Sequence, residues 1–118
     1  MSYEIKPGVA TGESVQVIFD HAKKHGYALP AINVTNTSTV NAVMEAASMM
    51  NSPVIIQFSN GGAQFYAGKG LIDDNFKASI AGAVSGAKYI HDMAELYGAT
   101  VIIHTDHAAM KLLPWIDG

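Results

Sequence analysis

The fold is decided by the run Val54-Ile55-Ile56-Gln57-Phe58, which is apolar, rich in β-branched residues and of strand length. Two similar runs lie on either side of it along the chain, at residues 28–34 and Thr100-Val101-Ile102-Ile103-His104. Pro30 should lie near the start of its run, because proline cannot donate to a sheet ladder. Such nearly continuous apolar strands are typical of a parallel sheet that is buried on both faces.

Helical patterns separate these strands. Val15, Ile18, Phe19 and Ala22 recur at helical spacing before the first strand, and similar stripes occupy residues 40–50 and 76–97. Glycines at positions 26 and 98 suit helix C-termini. The segment 59–70 is rich in glycine instead, which predicts a loop.

The predicted order is a helix followed by strand, helix, strand, helix and strand, with right-handed crossovers between parallel strands. The fold class is therefore α/β, with about three parallel strands, and residues 1–118 form a single unit. Three strands cannot close a barrel and would make a small open sheet on their own. We therefore interpret the 118 residues as the N-terminal portion of a larger domain.

The composition excludes several classes of function. A net charge of −3 and seven scattered Lys and Arg residues argue against a nucleic-acid groove. The absence of cysteine excludes disulfides and cysteine-ligated metals, and it is compatible with a reducing compartment. The first eight residues lack the features of a signal peptide, and no run approaches the ~18 apolar residues of a membrane span. We expect a cytoplasmic protein that binds neither nucleic acid nor membrane.

Polar residues fall where each predicted strand ends. Asn33 ends the first strand, Ser59 follows the second, and His104, Asp106 and His107 finish the third. Because the carboxyl ends of parallel strands share one edge, this pattern is typical of a functional site. Ordinary loop polarity explains it equally well, so the pattern leaves both interpretations open.

The densest cluster is His104-Thr105-Asp106-His107. Imidazole is a common zinc ligand, and a neighbouring carboxylate can act as a general acid or base. A catalytic zinc normally needs three protein ligands, and adjacent side chains on an extended strand point to opposite sides. The cluster thus indicates either one metal ligand beside a proton-transfer residue or simply polar strand-end residues.

Two further motifs permit alternative interpretations. His21 and His25 are four residues apart, so they could bridge a metal on a helix face. Beside Lys23 and Lys24, near a helix end, they could equally lie in solvent and interact with the helix dipole. The segment Gly68-Lys69-Gly70 does not complete a phosphate-binding P-loop, because its spacing from Gly62 is too long and the hydroxyl residue is missing.

Taken together, five motifs resemble class II fructose-bisphosphate aldolases, in order and across essentially the whole chain. They are Leu29-Pro30-Ala31-Ile32-Asn33, Pro53 to Ala63, Ala67-Gly68-Lys69-Gly70, His104-Thr105-Asp106-His107 and Lys111 to Gly118. The resemblance implies the N-terminal part of a (β/α)₈ TIM barrel and a zinc ion in place of a lysine Schiff base. It also implies reversible cleavage of fructose 1,6-bisphosphate into two triose phosphates, in a homodimer.

The resemblance also implies residue roles. His107 corresponds to a zinc ligand, and Asp106 to the residue that exchanges the proton at the C4 hydroxyl or aldehyde oxygen. Asn33 and Ser59 correspond to substrate-facing residues that orient the triose, and His104 to a residue that supports the metal ligand indirectly. Ala108 stands where many relatives have cysteine, without an expected effect on catalysis.

A TIM barrel takes about 250 residues, so the remaining zinc and phosphate ligands are expected outside these 118 residues. We therefore predict that the chain alone is inactive as an aldolase. Three alternatives remain open: a tagatose-bisphosphate aldolase, a split enzyme completed by other chains, and a non-catalytic flavodoxin-like binding module.

Overall fold

A computed structural model of the protein describes residues 6–118. Part of the N-terminal stretch considered for a signal peptide, residues 1–5, lies outside the described residues. The strands are β1 (Gly8–Val9), β2 (Ala31–Asn33), β3 (Val54–Phe58) and β4 (Thr100–Thr105). The α-helices are α1 (Glu13–His25), α2 (Thr37–Met50), α3 (Asn60–Ala67), α4 (Lys77–Tyr97) and α5 (Leu113–Asp117).

The strands form one parallel sheet in the order β1-β4-β3-β2. Successive strands β2, β3 and β4 are neighbours joined by helical crossovers, which confirms the predicted α/β architecture. The prediction missed β1, a two-residue strand that pairs with the start of β4. It is too short for an apolar run. Backbone hydrogen bonds from Gly8 to Ala99 and from Ala10 to Val101 hold it, together with a bond from Thr100 Oγ1 to the carbonyl of Lys6, 2.6 Å long.

Local capping sets the ends of the helices. α1 and α4 end at Gly26 and Gly98, both in the left-handed conformation that glycine adopts readily. α2 begins with a capping box, in which Asn36 and Thr39 each accept a hydrogen bond from the other's backbone N–H. These ends agree with the predicted helix boundaries to within a few residues.

The prediction of a loop at residues 59–70 was wrong, because residues 60–67 form α3. Ser59 caps this helix, and its hydroxyl oxygen accepts a hydrogen bond from Gly62 N–H at 3.0 Å. Gly62 allows close packing on β2, since a Cβ there would lie 3.1 Å from the carbonyl oxygen of Val34. Gly62 thus serves helix packing, which outweighs its low helix propensity.

The core lies between the sheet and the helices that cover it. It is built from β-strand and helix side chains, chiefly Val34, Val40, Met44, Ile56, Phe58, Ile90, Val101 and Trp115. Trp115 joins α5 to this core through a hydrogen bond from its indole N–H to the Ser79 carbonyl oxygen, 3.1 Å long. Along the described part of the chain, no helix is long and apolar enough to cross a membrane.

The expectation of a sheet buried on both faces holds only in part. Buried and half-buried residues alternate along β3, which indicates that one face is covered more closely than the other. All three residues of β2 are exposed, and Ile32 retains 40% of its accessible surface. β2 is at an edge of the sheet, and the described residues do not cover it.

Helix α4 packs on α3 at a glycine, which gives a test of this arrangement. A Cβ at Gly82 would collide with the Ala63 carbonyl oxygen and lie 3.2 Å from the Ala67 nitrogen. Gly82→Ala should therefore lower the free energy of unfolding by about 1–3 kcal/mol, as measured by urea denaturation.

The matched control is Gly61→Ala, another helical glycine at which a Cβ meets nothing within 4 Å. It should leave the stability unchanged or raise it by up to about 1 kcal/mol. Equal stabilities of the two variants would contradict the close α3–α4 contact.

Candidate active site at the carboxyl edge of the sheet

The carboxyl ends of β2, β3 and β4 lie side by side at one edge of the sheet. Asn33 pairs with Gln57 in the β2–β3 register, and Gln57 pairs with His104 in the β3–β4 register. Paired residues of neighbouring strands point to the same face, so these three side chains form one row. Just beyond the row, the backbone N–H of Asp106 donates to the Phe58 carbonyl oxygen at 2.9 Å and fixes the chain after β4.

Hydrogen bonds link this row to Asp106. His104 Nδ1 lies 3.1 Å from Gln57 Oε1, Gln57 Nε2 lies 2.9 Å from Asn33 Oδ1, and Asn33 Nδ2 lies 3.0 Å from Asp106 Oδ2. We call these four residues the strand-end chain. It connects the ends of three strands and returns to the segment after β4, although Asn33 and Asp106 are 73 residues apart in sequence.

Donation runs in one direction along the strand-end chain. Gln57 Oε1 is a carbonyl oxygen and can only accept, so His104 carries its proton on Nδ1. Gln57 and Asn33 then each accept through the amide oxygen and donate through the amide nitrogen. The last acceptor is the carboxylate oxygen Oδ2 of Asp106.

His107 lies next to Asp106 because the backbone turns there. Its φ of 45° is left-handed, and its Nε2 lies 3.4 Å from Asp106 Oδ1. The side chain of His107 is 94% exposed, whereas that of Asp106 is 19% exposed. On an extended strand, neighbouring side chains would point to opposite sides. The turn at His107 removes this constraint, so its imidazole and the Asp106 carboxylate are in contact.

Ser59 lies at the same edge, directly after β3, but it has a different local role. Its hydroxyl oxygen caps α3 by accepting from Gly62 N–H. Within residues 6–118, no hydrogen bond joins the Ser59 side chain to the strand-end chain. The structure thus brings together Asn33, His104, Asp106 and His107, and it places Ser59 beside them at the helix cap.

Gln57 is the functional candidate that the sequence analysis missed. It was read only as part of an apolar strand, yet it bridges His104 and Asn33 with both ends of its amide. A signal was available: Gln57 is the polar residue in the run 54–58, at the register position of Asn33 and His104.

A family model described as fructose-bisphosphate aldolase class-II matches residues 13–114. The chain belongs to this family. A fructose-bisphosphate aldolase of Haemophilus influenzae is 56% identical over 97% of this chain and 32% of its own length. A class 2 fructose-bisphosphate aldolase of Escherichia coli K12 is 57% identical over the same shares of the two chains.

A solved structure of a fructose-bisphosphate aldolase from Campylobacter jejuni superposes on this chain with a TM-score of 0.88. It is 57% identical, and the match covers 96% of this chain and 32% of that one. The class II aldolase family has a TIM-barrel fold, and this chain corresponds to part of it. The chain spans about a third of the length of the curated relatives it matches, and its family membership argues against a flavodoxin-like module.

The class II aldolase family generally requires a divalent metal. In this chain the exposed imidazole of His107, beside a carboxylate, suits one position of a coordination sphere. Between residues 6 and 118, no group of three or more His, Asp or Glu side chains could hold a metal ion. A metal ion bound at His107 would therefore need further ligands from outside these residues.

The direction of hydrogen-bond donation, from His104 to Gln57, can be tested through the tautomer of His104. Gln57→Leu removes the acceptor of the Nδ1 proton, so the neutral imidazole should shift towards the Nε2–H tautomer. Nitrogen-15 NMR of the His104 ring at a pH where it is neutral measures this shift. Gln64→Leu is the matched control, because Gln64 Oε1 accepts from Lys69 instead. An Nε2–H tautomer in the unmodified protein would contradict the proposed polarity.

Proposed function

We propose that this chain supplies part of the active site of a zinc-dependent aldolase that reversibly cleaves fructose 1,6-bisphosphate. The products would be dihydroxyacetone phosphate and glyceraldehyde 3-phosphate. The observation that carries the proposal is the hydrogen bond of 3.0 Å from Asn33 Nδ2 to Asp106 Oδ2. It joins two strand-end residues that the aldolase resemblance singles out, and it holds a partly exposed carboxylate in a fixed orientation.

Asp106 is the proposed acid and base of the reaction. In cleavage, its carboxylate would take the proton of the C4 hydroxyl while the C3–C4 bond breaks. In condensation, it would return that proton to the aldehyde oxygen. Two contacts support this role, since Asn33 orients one carboxylate oxygen and His107 lies beside the other. The bond from Asn33 leaves Asp106 Oδ1 as the carboxylate oxygen nearer His107.

Asn33 is proposed to bind substrate as well as to orient Asp106. Its amide nitrogen has two hydrogens, and the bond to Asp106 uses one of them. The amide oxygen is held by Gln57 at 2.9 Å, which fixes the plane of the group. The second N–H would then have a defined direction in which to donate to an oxygen of the triose.

Ser59 is the second proposed substrate-binding residue. Its hydroxyl oxygen already accepts from Gly62 N–H, so its own hydrogen is the part that can donate to a substrate oxygen. The position directly before α3 adds the partial positive charge of a helix N-terminus, which favours an anionic substrate group. Sugar bisphosphates and triose phosphates carry such groups.

His107 is the proposed metal ligand, and zinc is the proposed ion. When bound, the ion supplies positive charge that stabilises the electron pair released at C3 during cleavage. The high exposure of His107 and its turn away from β4 support a ligand that points out from the edge of the sheet. One imidazole does not hold zinc tightly, so we propose that the isolated chain is inactive.

A chimera tests these roles. This chain would replace the corresponding third of the Escherichia coli relative, which it matches at 57% identity. The chimera should cleave fructose 1,6-bisphosphate, and Asp106→Asn should lower kcat by about 10²–10⁴-fold because the proton acceptor is lost.

His107→Ala should remove activity together with tight zinc binding, measured by metal analysis after dialysis.

Asp92→Asn is the control for this series, because Asp92 is an exposed carboxylate on α4. Full activity of Asp106→Asn would refute the proposed acid and base.

The isolated 118 residues, assayed with stoichiometric zinc, should show no turnover, and measurable turnover would refute the proposal of a shared site. Faster cleavage of tagatose 1,6-bisphosphate than of the fructose compound would favour the alternative substrate.

We also propose that the whole enzyme is a homodimer, as the family resemblance implies, and that it is cytoplasmic, as expected from the sequence. Sedimentation equilibrium of the chimera should give twice the mass of one chain, and cell fractionation should place the enzyme with the cytoplasmic proteins. A monomeric active chimera would contradict the dimer, and recovery with membranes would contradict the location.

A further inference from the structure

The C-terminal end of α1 brings two histidine rings together. The ring centroids of His21 and His25 lie 4.3 Å apart, and the ring planes are tilted by 39°. α1 ends shortly before β2 begins, so this pair lies at the amino edge of the sheet. The strand-end chain is at the opposite edge, and the proposed aldolase chemistry does not use the pair.

The separation of the rings matches chelation of one metal ion. An imidazole nitrogen bound at about 2.0 Å places its ring centroid about 3.1 Å from the ion. Two such rings at cis positions, with an angle of about 90° at the ion, have centroids about 4.4 Å apart, whereas a tetrahedral angle gives about 5.1 Å. The observed 4.3 Å agrees with the cis arrangement.

A hydrogen bond already orients one of the rings. His21 Nδ1 lies 2.6 Å from the Tyr27 hydroxyl, which is brought back to the helix by the left-handed Gly26. Coordination through Nε2 would retain this bond, with Nδ1–H donating to the Tyr27 oxygen. Metal-bound histidines characteristically make such a bond with their second nitrogen, because it fixes the ring and its tautomer.

The local charge restricts the kind of ion. Lys23 and Lys24 are close in sequence and repel cations that bind mainly through charge. Hard cations that need oxygen ligands, such as Mg²⁺ and Ca²⁺, are therefore disfavoured.

We propose that His21 and His25 form a surface site for one divalent transition-metal ion that takes cis nitrogen ligands, with Ni²⁺ and Cu²⁺ as the best fits. Water completes the coordination sphere. The site is distinct from the zinc site proposed at His107, because it lies at the other edge of the sheet and uses no residue of the strand-end chain.

Nickel titration of the full 118-residue chain tests this site. The His107→Ala background is used throughout, so that binding at the carboxyl edge does not obscure the result. His25→Ala should weaken Ni²⁺ binding about tenfold or more in isothermal titration calorimetry, since one of two chelating nitrogens is lost. His91→Ala is the matched control, because His91 is an exposed histidine on α4, and it should leave the affinity unchanged.

Paramagnetic Cu²⁺ gives a second measurement that does not depend on the variants. Substoichiometric Cu²⁺ should broaden the NMR signals of residues around the end of α1 before any others. Equal Ni²⁺ affinity of His25→Ala and the background protein would overturn the proposal. Broadening confined to residues outside the end of α1 would overturn it as well.

Discussion

The parallel register of β2, β3 and β4 is the constraint on which the rest of the candidate site depends. It places Asn33, Gln57 and His104 opposite one another, so that three polar groups from distant parts of the sequence meet on one face. A slip of one residue in any strand would turn its member of the row towards the opposite face. Val34, Ile56 and Phe58 pack in the core, on the sheet face opposite the polar row. By fixing the register of the strands, this packing also fixes which polar groups meet on the other face.

The sequence was sufficient for the main architecture because its strongest signals are local. Apolar β-branched runs predicted three of the strands, and glycines at helix ends predicted where α1 and α4 stop. It failed at α3, where the glycines read as a loop. Gly62 instead lies close to the carbonyl of Val34, and this is a tertiary contact that no local pattern contains.

The candidate site was predictable in its position but not in its connections. Asn33, Asp106 and His107 stand out as polar residues at strand ends, and the structure places them together. Gln57 did not stand out, since its role depends on which residues it faces across two strand pairs. The contact between Asp106 and His107 was unpredictable for another reason, because alternation along a strand places neighbours apart unless the backbone changes conformation.

That change of conformation has a consequence for how the protein tolerates mutation. A residue with a side chain in the left-handed region costs roughly 1–2 kcal/mol, and His107 is in this region at the rim of the sheet. Glycine at position 107 would relieve that strain and give a more robust chain, but it would lose the imidazole.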